Sequence, residues 1–257
     1  MTRGRSRSSR CVCALGVGAV LVAAVSWGVA TALPAAARVS CSAAPAPSVN
    51  LRGCDLSGRN LAGADLSGAR LLHANLTGAI LTGAILTGAN VKGAILSGAK
   101  LGGADLTGAN LQKTVAVGAD LTGAHLVKAH LERVDLDGAV LSGADLVHAN
   151  LTGATLTGAT VVAAAFVDTK MVGADLSKAN VTDSHFEGAA LLRADMSGAD
   201  LTGASLFKAK AAGVNLAGAN LTDAILVHAN LSGADLSGIT WTGASCPNGS
   251  IAKASGC

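Results

Sequence analysis

The sequence predicts an all-β chain that turns back on itself once every five residues, preceded by a separate targeting segment. Three observations carry this. A five-residue frame runs without a break from Val49 to Gly243. The composition is 50% hydrophobic but only 2% aromatic, with 33 Gly in 257 residues, which fits a repeat better than a mixed core. The first 37 residues share neither the frame nor its composition.

Residues 1–37 read as a signal peptide. Arg3, Arg5, Arg7 and Arg10 make a basic start, and no charge follows from Cys11 to Ala37. Pro34 then breaks any helix, and Ala35-Ala36-Ala37 places small residues at both specificity positions of a signal-peptidase site. Ala30-Thr31-Ala32 is a second such site. The rival reading is an uncleaved transmembrane anchor, since 18 or more apolar residues span a bilayer. Its arginines would then stay in the cytoplasm. Either way the chain is expected to be secreted or held on the extracellular face of the cell membrane.

Residues 38–48 form an N-terminal cap or linker, and residues 244–257 leave the frame with turn residues at Pro247, Asn248 and Gly249. Beyond the targeting segment the four cysteines are Cys41, Cys54, Cys246 and Cys257, one pair near each end. An even count in an exported chain predicts disulfides, and nearest-neighbour pairing gives Cys41–Cys54 and Cys246–Cys257. Neither pair has metal-ligand spacing or a nearby His, so no metal is expected.

Residues 49–243 carry the repeat. Stepping by five from Leu51 to Trp241 gives 39 central positions, all apolar and 29 of them Leu. Two residues earlier 30 are Ala, and two residues later 26 are Gly. On an α-helix steps of five would spiral around the surface; on a straight strand they would alternate faces. Neither buries every Leu, so the chain must turn in each repeat. Gly after the Leu suits such a turn because it adopts positive φ freely.

The pattern Ala-(Asp/Asn)-Leu-(Ser/Thr)-Gly, as in Ala64-Asp65-Leu66-Ser67-Gly68 and Ala199-Asp200-Leu201-Thr202-Gly203, resembles that of the pentapeptide-repeat proteins. The chain looks like a secreted or membrane-anchored member, bacterial in kind. The resemblance implies a right-handed quadrilateral β-helix, in which four pentapeptides make one square coil with Leu and Ala inward. The 39 repeats would give nearly ten coils. Solenoids need terminal caps, and the two cysteine pairs lie where caps belong. Val161, Phe166, Met171, Val181, Phe186 and Met196 vary the inward positions, with Phe166 and Phe186 expected to stack.

Four repeats per coil sort the surface into four columns, each named by its first central residue. The Leu51 column carries Arg52, Arg70, Lys92, Lys113, Arg133, Lys170, Arg193 and Lys210 against Glu132 alone, a balance of +7. The next column, from Leu56, balances at −5. The whole chain is +3, and −1 without its four leading arginines. A basic face of this kind suits anionic envelope polymers or membrane headgroups. In the Leu66 column, Val127, Val147, Val167, Phe207 and Val227 follow the central residue where Ser or Thr is usual. This apolar ladder suggests a protein partner or a homodimer. Thr82, Thr122, Thr182, Thr202, Thr222 and Thr242 repeat the usual Thr of the Leu61 column.

No catalytic constellation is present. His73, His125, His130, His148, His185 and His228 lack metal-motif spacing, and a Leu/Ala-filled interior leaves no substrate cleft. No cofactor is expected. Few aromatics argue against a nucleic-acid stacking platform. The expected function is therefore a non-catalytic exported scaffold or binding rod. The resemblance offers one alternative, since some family members mimic DNA and bind type II topoisomerases. The export signal and the near-neutral charge disfavour it.

Overall fold

The computed structural model describes residues 39–252 and 257. The chain divides into Met1–Ala36 and Ala37–Cys257, and the targeting segment read over residues 1–37 lies outside the described residues. Among those residues there is no helix and no extended strand, only single-residue bridges joining successive passes of the chain.

From Asn50↔Arg70 to Ile225↔Ser245, every bridge is parallel and joins residues 20 apart. Four pentapeptides therefore complete one coil, and residues 20 apart stack. Three backbone bonds per repeat hold one coil to the next: the Leu51 N–H to the Arg70 carbonyl at 2.9 Å, the Gly53 N–H to the Leu72 carbonyl at 2.9 Å, and the Arg70 N–H to the Val49 carbonyl at 2.8 Å. A fourth closes the turn within the repeat, from the Cys54 N–H to the Leu51 carbonyl at 3.1 Å. Backbone groups thus find partners at a spacing too short for a strand to form.

The turn explains the Gly position. Its third residue has positive φ, as at Gly53 with φ 65, which a type II turn requires. Every residue that replaces Gly in this slot keeps the left-handed backbone, including His73, Lys113, Arg133, Ala163 and Asp183. Some replacements depend on the coil that follows. A Cβ on Gly93 would stand 2.6 Å from Nδ1 of His73, so the bare Gly93 leaves room for that ring.

Where Asp or Asn stands before the central residue, it does so for a local reason. The Asp65 side chain accepts the Ser67 N–H at 3.0 Å, and the Asn60 side chain accepts the Ala62 N–H at 3.1 Å. These are Asx turns, in which a side-chain oxygen satisfies a turn N–H.

Central residues from Leu51 to Leu226 and most of the Ala positions are buried in one continuous core. Phe166 and Phe186 stack at 4.8 Å between centroids and 3° between planes, as expected from their separation. Where Thr114, Thr169 or Ser184 replaces the inward Ala, its hydroxyl donates to a buried backbone carbonyl: that of Val91 at 3.0 Å, Leu146 at 3.2 Å, and Val161. The hydroxyl is thereby satisfied without water. Packing loosens at the last repeats, where Leu231, Leu236 and Trp241 are only half-buried.

At the N-terminal end the sulfurs of Cys41 and Cys54 lie 2.10 Å apart, with Cys54 fully buried. The Arg59 side chain donates to the Cys41 carbonyl at 2.9 Å, fastening the same segment a second time. At the C-terminal end Cys246 joins Cys257, and an antiparallel bridge pairs Ser245 with Ile251.

Candidate functional site

The 20-residue register brings the eight cations of the Leu51 column onto one side of the coil stack, but in three lanes rather than one line. Arg70, Lys170 and Lys210 occupy the bridge position before the central residue. Arg52 and Lys92 follow the central residue directly. Lys113, Arg133 and Arg193 sit in the left-handed turn slot, at φ 57, 57 and 54. All are exposed except Lys92, which is half-buried.

The electrostatic state of these groups matters more than their count. Among the described residues the ion pairs are His130–Glu132 at 3.6 Å and His185–Glu187 at 3.2 Å; neither involves Lys or Arg. Glu132, the one acid of the basic face, is engaged locally: its Oε1 accepts the Asn150 side-chain amide at 2.8 Å. Its other oxygen is buried without a hydrogen-bond partner. Among the described residues, then, no carboxylate forms an ion pair with the cations of the face.

Six carboxylates elsewhere are held by local hydrogen bonds from N–H and hydroxyl groups. The Ser57 hydroxyl holds Asp55 below the ordinary carboxylate range, and the Ser67 and Ser237 N–H groups do the same for Asp65 and Asp235. The Thr107 and Thr122 hydroxyls lower Asp105 and Asp120. For Glu187 burial pushes upward, but bonds from the Ser205 hydroxyl, its own N–H and His185 outweigh it and leave the group lowered. The Thr residues of the Leu61 column are similarly occupied: Thr122, Thr182 and Thr202 donate to Asp120, Asn180 and Asp200, each at 2.6 Å.

The apolar ladder is half-buried at Val127, Val147, Val167, Phe207 and Val227, with Glu187 interrupting it. Its own neighbours cover part of it. The His228 ring meets Phe207 edge-on at 5.8 Å, and the Lys208 ammonium lies 4.9 Å from the Phe207 centroid.

Among the described residues no group of His, Cys, Asp and Glu is arranged to hold a metal ion. Nor, among them, is any helix long and apolar enough to cross a membrane. Inside the coils, the cavity lined by Leu96, Leu101, Leu121, Leu146 and their neighbours measures about 10 Å³. Two signals escaped the sequence reading. The recurrent Asp/Asn-Leu-Ser/Thr triplet marks the Asx turns, and the thirteen residues standing in place of Gly mark where the turn is strained.

The family model for pentapeptide repeats matches in 8 copies over residues 48–83, 84–123, 117–160, 135–171, 169–206 and 200–238. No curated protein sequence matches the chain. Among solved structures it is similar to HetL, a pentapeptide repeat protein involved in heterocyst differentiation regulation in the cyanobacterium Nostoc sp. strain PCC 7120. The identity is 35% over 80% of this chain and 92% of HetL, with a TM-score of 0.45. QnrB1, a plasmid-mediated fluoroquinolone resistance protein, is 21% identical over 63% of this chain and 84% of its own, with a TM-score of 0.33. A pentapeptide repeat protein of the Arabidopsis thaliana thylakoid lumen is 31% identical over 46% of this chain and 68% of its own, with a TM-score of 0.20.

Proposed function

This chain belongs to the pentapeptide repeat family, and from that premise we propose that it is an exported, non-catalytic binding rod of nearly ten coils. Its basic face contacts anionic polymers of a bacterial envelope, or an anionic membrane surface. The observation that carries the reading is the set of eight Lys and Arg residues on one side of the stack, none in an ion pair with a carboxylate among the described residues. Unpaired exposed cations set a positive local potential even when the whole chain is near neutral. Binding of this kind is weak, tolerant of sequence and sensitive to salt, because exposed charges are screened over about 8 Å at physiological ionic strength.

The test replaces Lys113, Arg133, Lys170 and Arg193 together by Ser and measures retention on a phosphodiester wall polymer and on anionic vesicles at low salt. Loss of retention on either supports the reading and identifies the surface. Retention equal to the parent on both would overturn it. Export is tested separately, by mass spectrometry of the protein recovered outside the cell. An N-terminus just after Ala37 is expected, one at Met1 would favour the anchor, and recovery from the cytoplasm alone would overturn export.

A further inference from the structure

The basic face is not uniform. At its N-terminal end a groove of about 320 Å³ is lined by Asn50, Arg52, Gly68, Arg70, Leu72 and Asn90. Ligand pockets begin at about 300 Å³, so the groove has room for one sugar-sized unit. Its composition is unusual for this chain. Arg52 and Arg70 place two guanidinium groups on successive coils of the face, whereas among the described residues Arg133 and Arg193 have no second arginine on an adjacent coil of that face.

The scaffold under these two side chains is fixed. Asn50, Arg70 and Asn90 stack through the bridges Asn50↔Arg70 and Arg70↔Asn90. The Asn50 side chain accepts the Arg52 N–H at 3.3 Å, closing the turn that carries Arg52. Gly68, at φ 61, adds no side chain to the groove; a Cβ there would stand 3.3 Å from the Ser48 hydroxyl. Leu72 supplies one apolar wall beside the two cations. Neither arginine forms an ion pair among the described residues.

We propose that this groove binds one anionic group, a carboxylate or a phosphate, carried on a sugar-sized body. Each guanidinium presents a planar fork that matches either oxyanion in bidentate fashion, which a lysine ammonium cannot do. The Asn90 amide offers a donor to a flanking hydroxyl, and Leu72 receives the apolar C–H face of a ring. Resting on the basic face as the binding surface, the inference adds a discrete, saturable subsite where a bound polymer is gripped by one unit, while the remaining cations act by charge alone.

The experiment titrates the full chain with galacturonic acid, with inorganic phosphate and with glucose, following heat or NMR shifts at low salt. The parent, R52Q/R70Q and K100S/K178S, the last removing two lysines outside the basic face, are compared, with circular dichroism and a melting curve to establish that each is folded. The parent should bind galacturonate or phosphate saturably at one site and glucose not at all. R52Q/R70Q should weaken that binding at least tenfold, while K100S/K178S leaves it within twofold. Preference for galacturonate over phosphate would identify a uronate unit, and the reverse a phosphorylated one. Absence of saturable anion binding to the parent, or equal binding by R52Q/R70Q, would overturn the subsite. If polymer retention still falls in the four-residue Ser variant, the subsite alone has failed. If anion binding depends on Arg52 and Arg70 while that variant keeps full retention, the broader reading has failed and the subsite stands.

Discussion

At the level of single residues, the chemistry of the repeat is one of local satisfaction. Asp or Asn stands before the central residue in 20 of the 39 repeats and there accepts a turn N–H two residues on, as at Asn60 and Asp65. Only Asp brings a titratable group. At Asp65, Asp105 and Asp120 the folded value is depressed, by the Ser67 N–H and by the Thr107 and Thr122 hydroxyls, so their contribution to stability is present above the ordinary carboxylate range. That contribution is lost as pH falls through the depressed values. Melting temperature should therefore drop below that range, and D105N/D120N should flatten the acid limb while changing the neutral value little. An acid limb of unchanged steepness would count against this account. The left-handed turn slot is a second local constraint. Ala163 holds φ 54 there with only a methyl to offer, so A163G should stabilise the chain by about 0.5–1 kcal/mol in denaturant unfolding. The inward Leu was legible from spacing alone, because neither a helix nor a straight strand buries a period of five, whereas the inward Ala came only with the family resemblance. The Asx turns were not, because their meaning lies in a hydrogen bond rather than in polarity.

At the level of the coil, stability comes from stacked layers of Leu and Ala that share one core. Leu146 is fully buried within it, so L146D should cost more than about 4 kcal/mol, a carboxylate being placed where nothing can pair with it. An unchanged melting temperature would contradict the inward assignment. The core also accepts polar atoms when they are answered. Thr169 donates to the Leu146 carbonyl, which also receives the Ala149 N–H at 2.9 Å. Replacing Thr169 by Ala therefore leaves that acceptor served, and T169A should change stability by less than about 1 kcal/mol. Which column each cation joins was legible once four repeats per coil were assumed. How the cations divide into three lanes was not, since the lanes depend on whether a residue lies in the bridge, after the centre or in the left-handed slot. Nor was the Arg52–Arg70 groove visible, because those residues are eighteen positions apart in the sequence and meet only through stacking.

For the whole molecule, a far-UV circular dichroism spectrum of residues 38–257 should contain almost no helical signal, and a strongly helical one would reject the coil. The bridges join residues 20 apart, whereas the buried centres recur every five. Interior and exterior thus obey different grammars. One additional pentapeptide is silent to the core, yet it carries every later side chain a quarter turn onward. Inserting Ala-Asp-Leu-Ser-Gly after Gly153 should leave the melting temperature nearly unchanged. It would move Lys170, Arg193 and Lys210 into the acidic column that begins at Leu56 and so cut the positive strip in two. Retention on an anionic polymer should fall accordingly, and a four-pentapeptide insertion at the same place should restore it. The coding repeat can therefore slip, lengthen or shorten by single units with little consequence for folding, while inherited contact with a partner survives only those changes that come in fours.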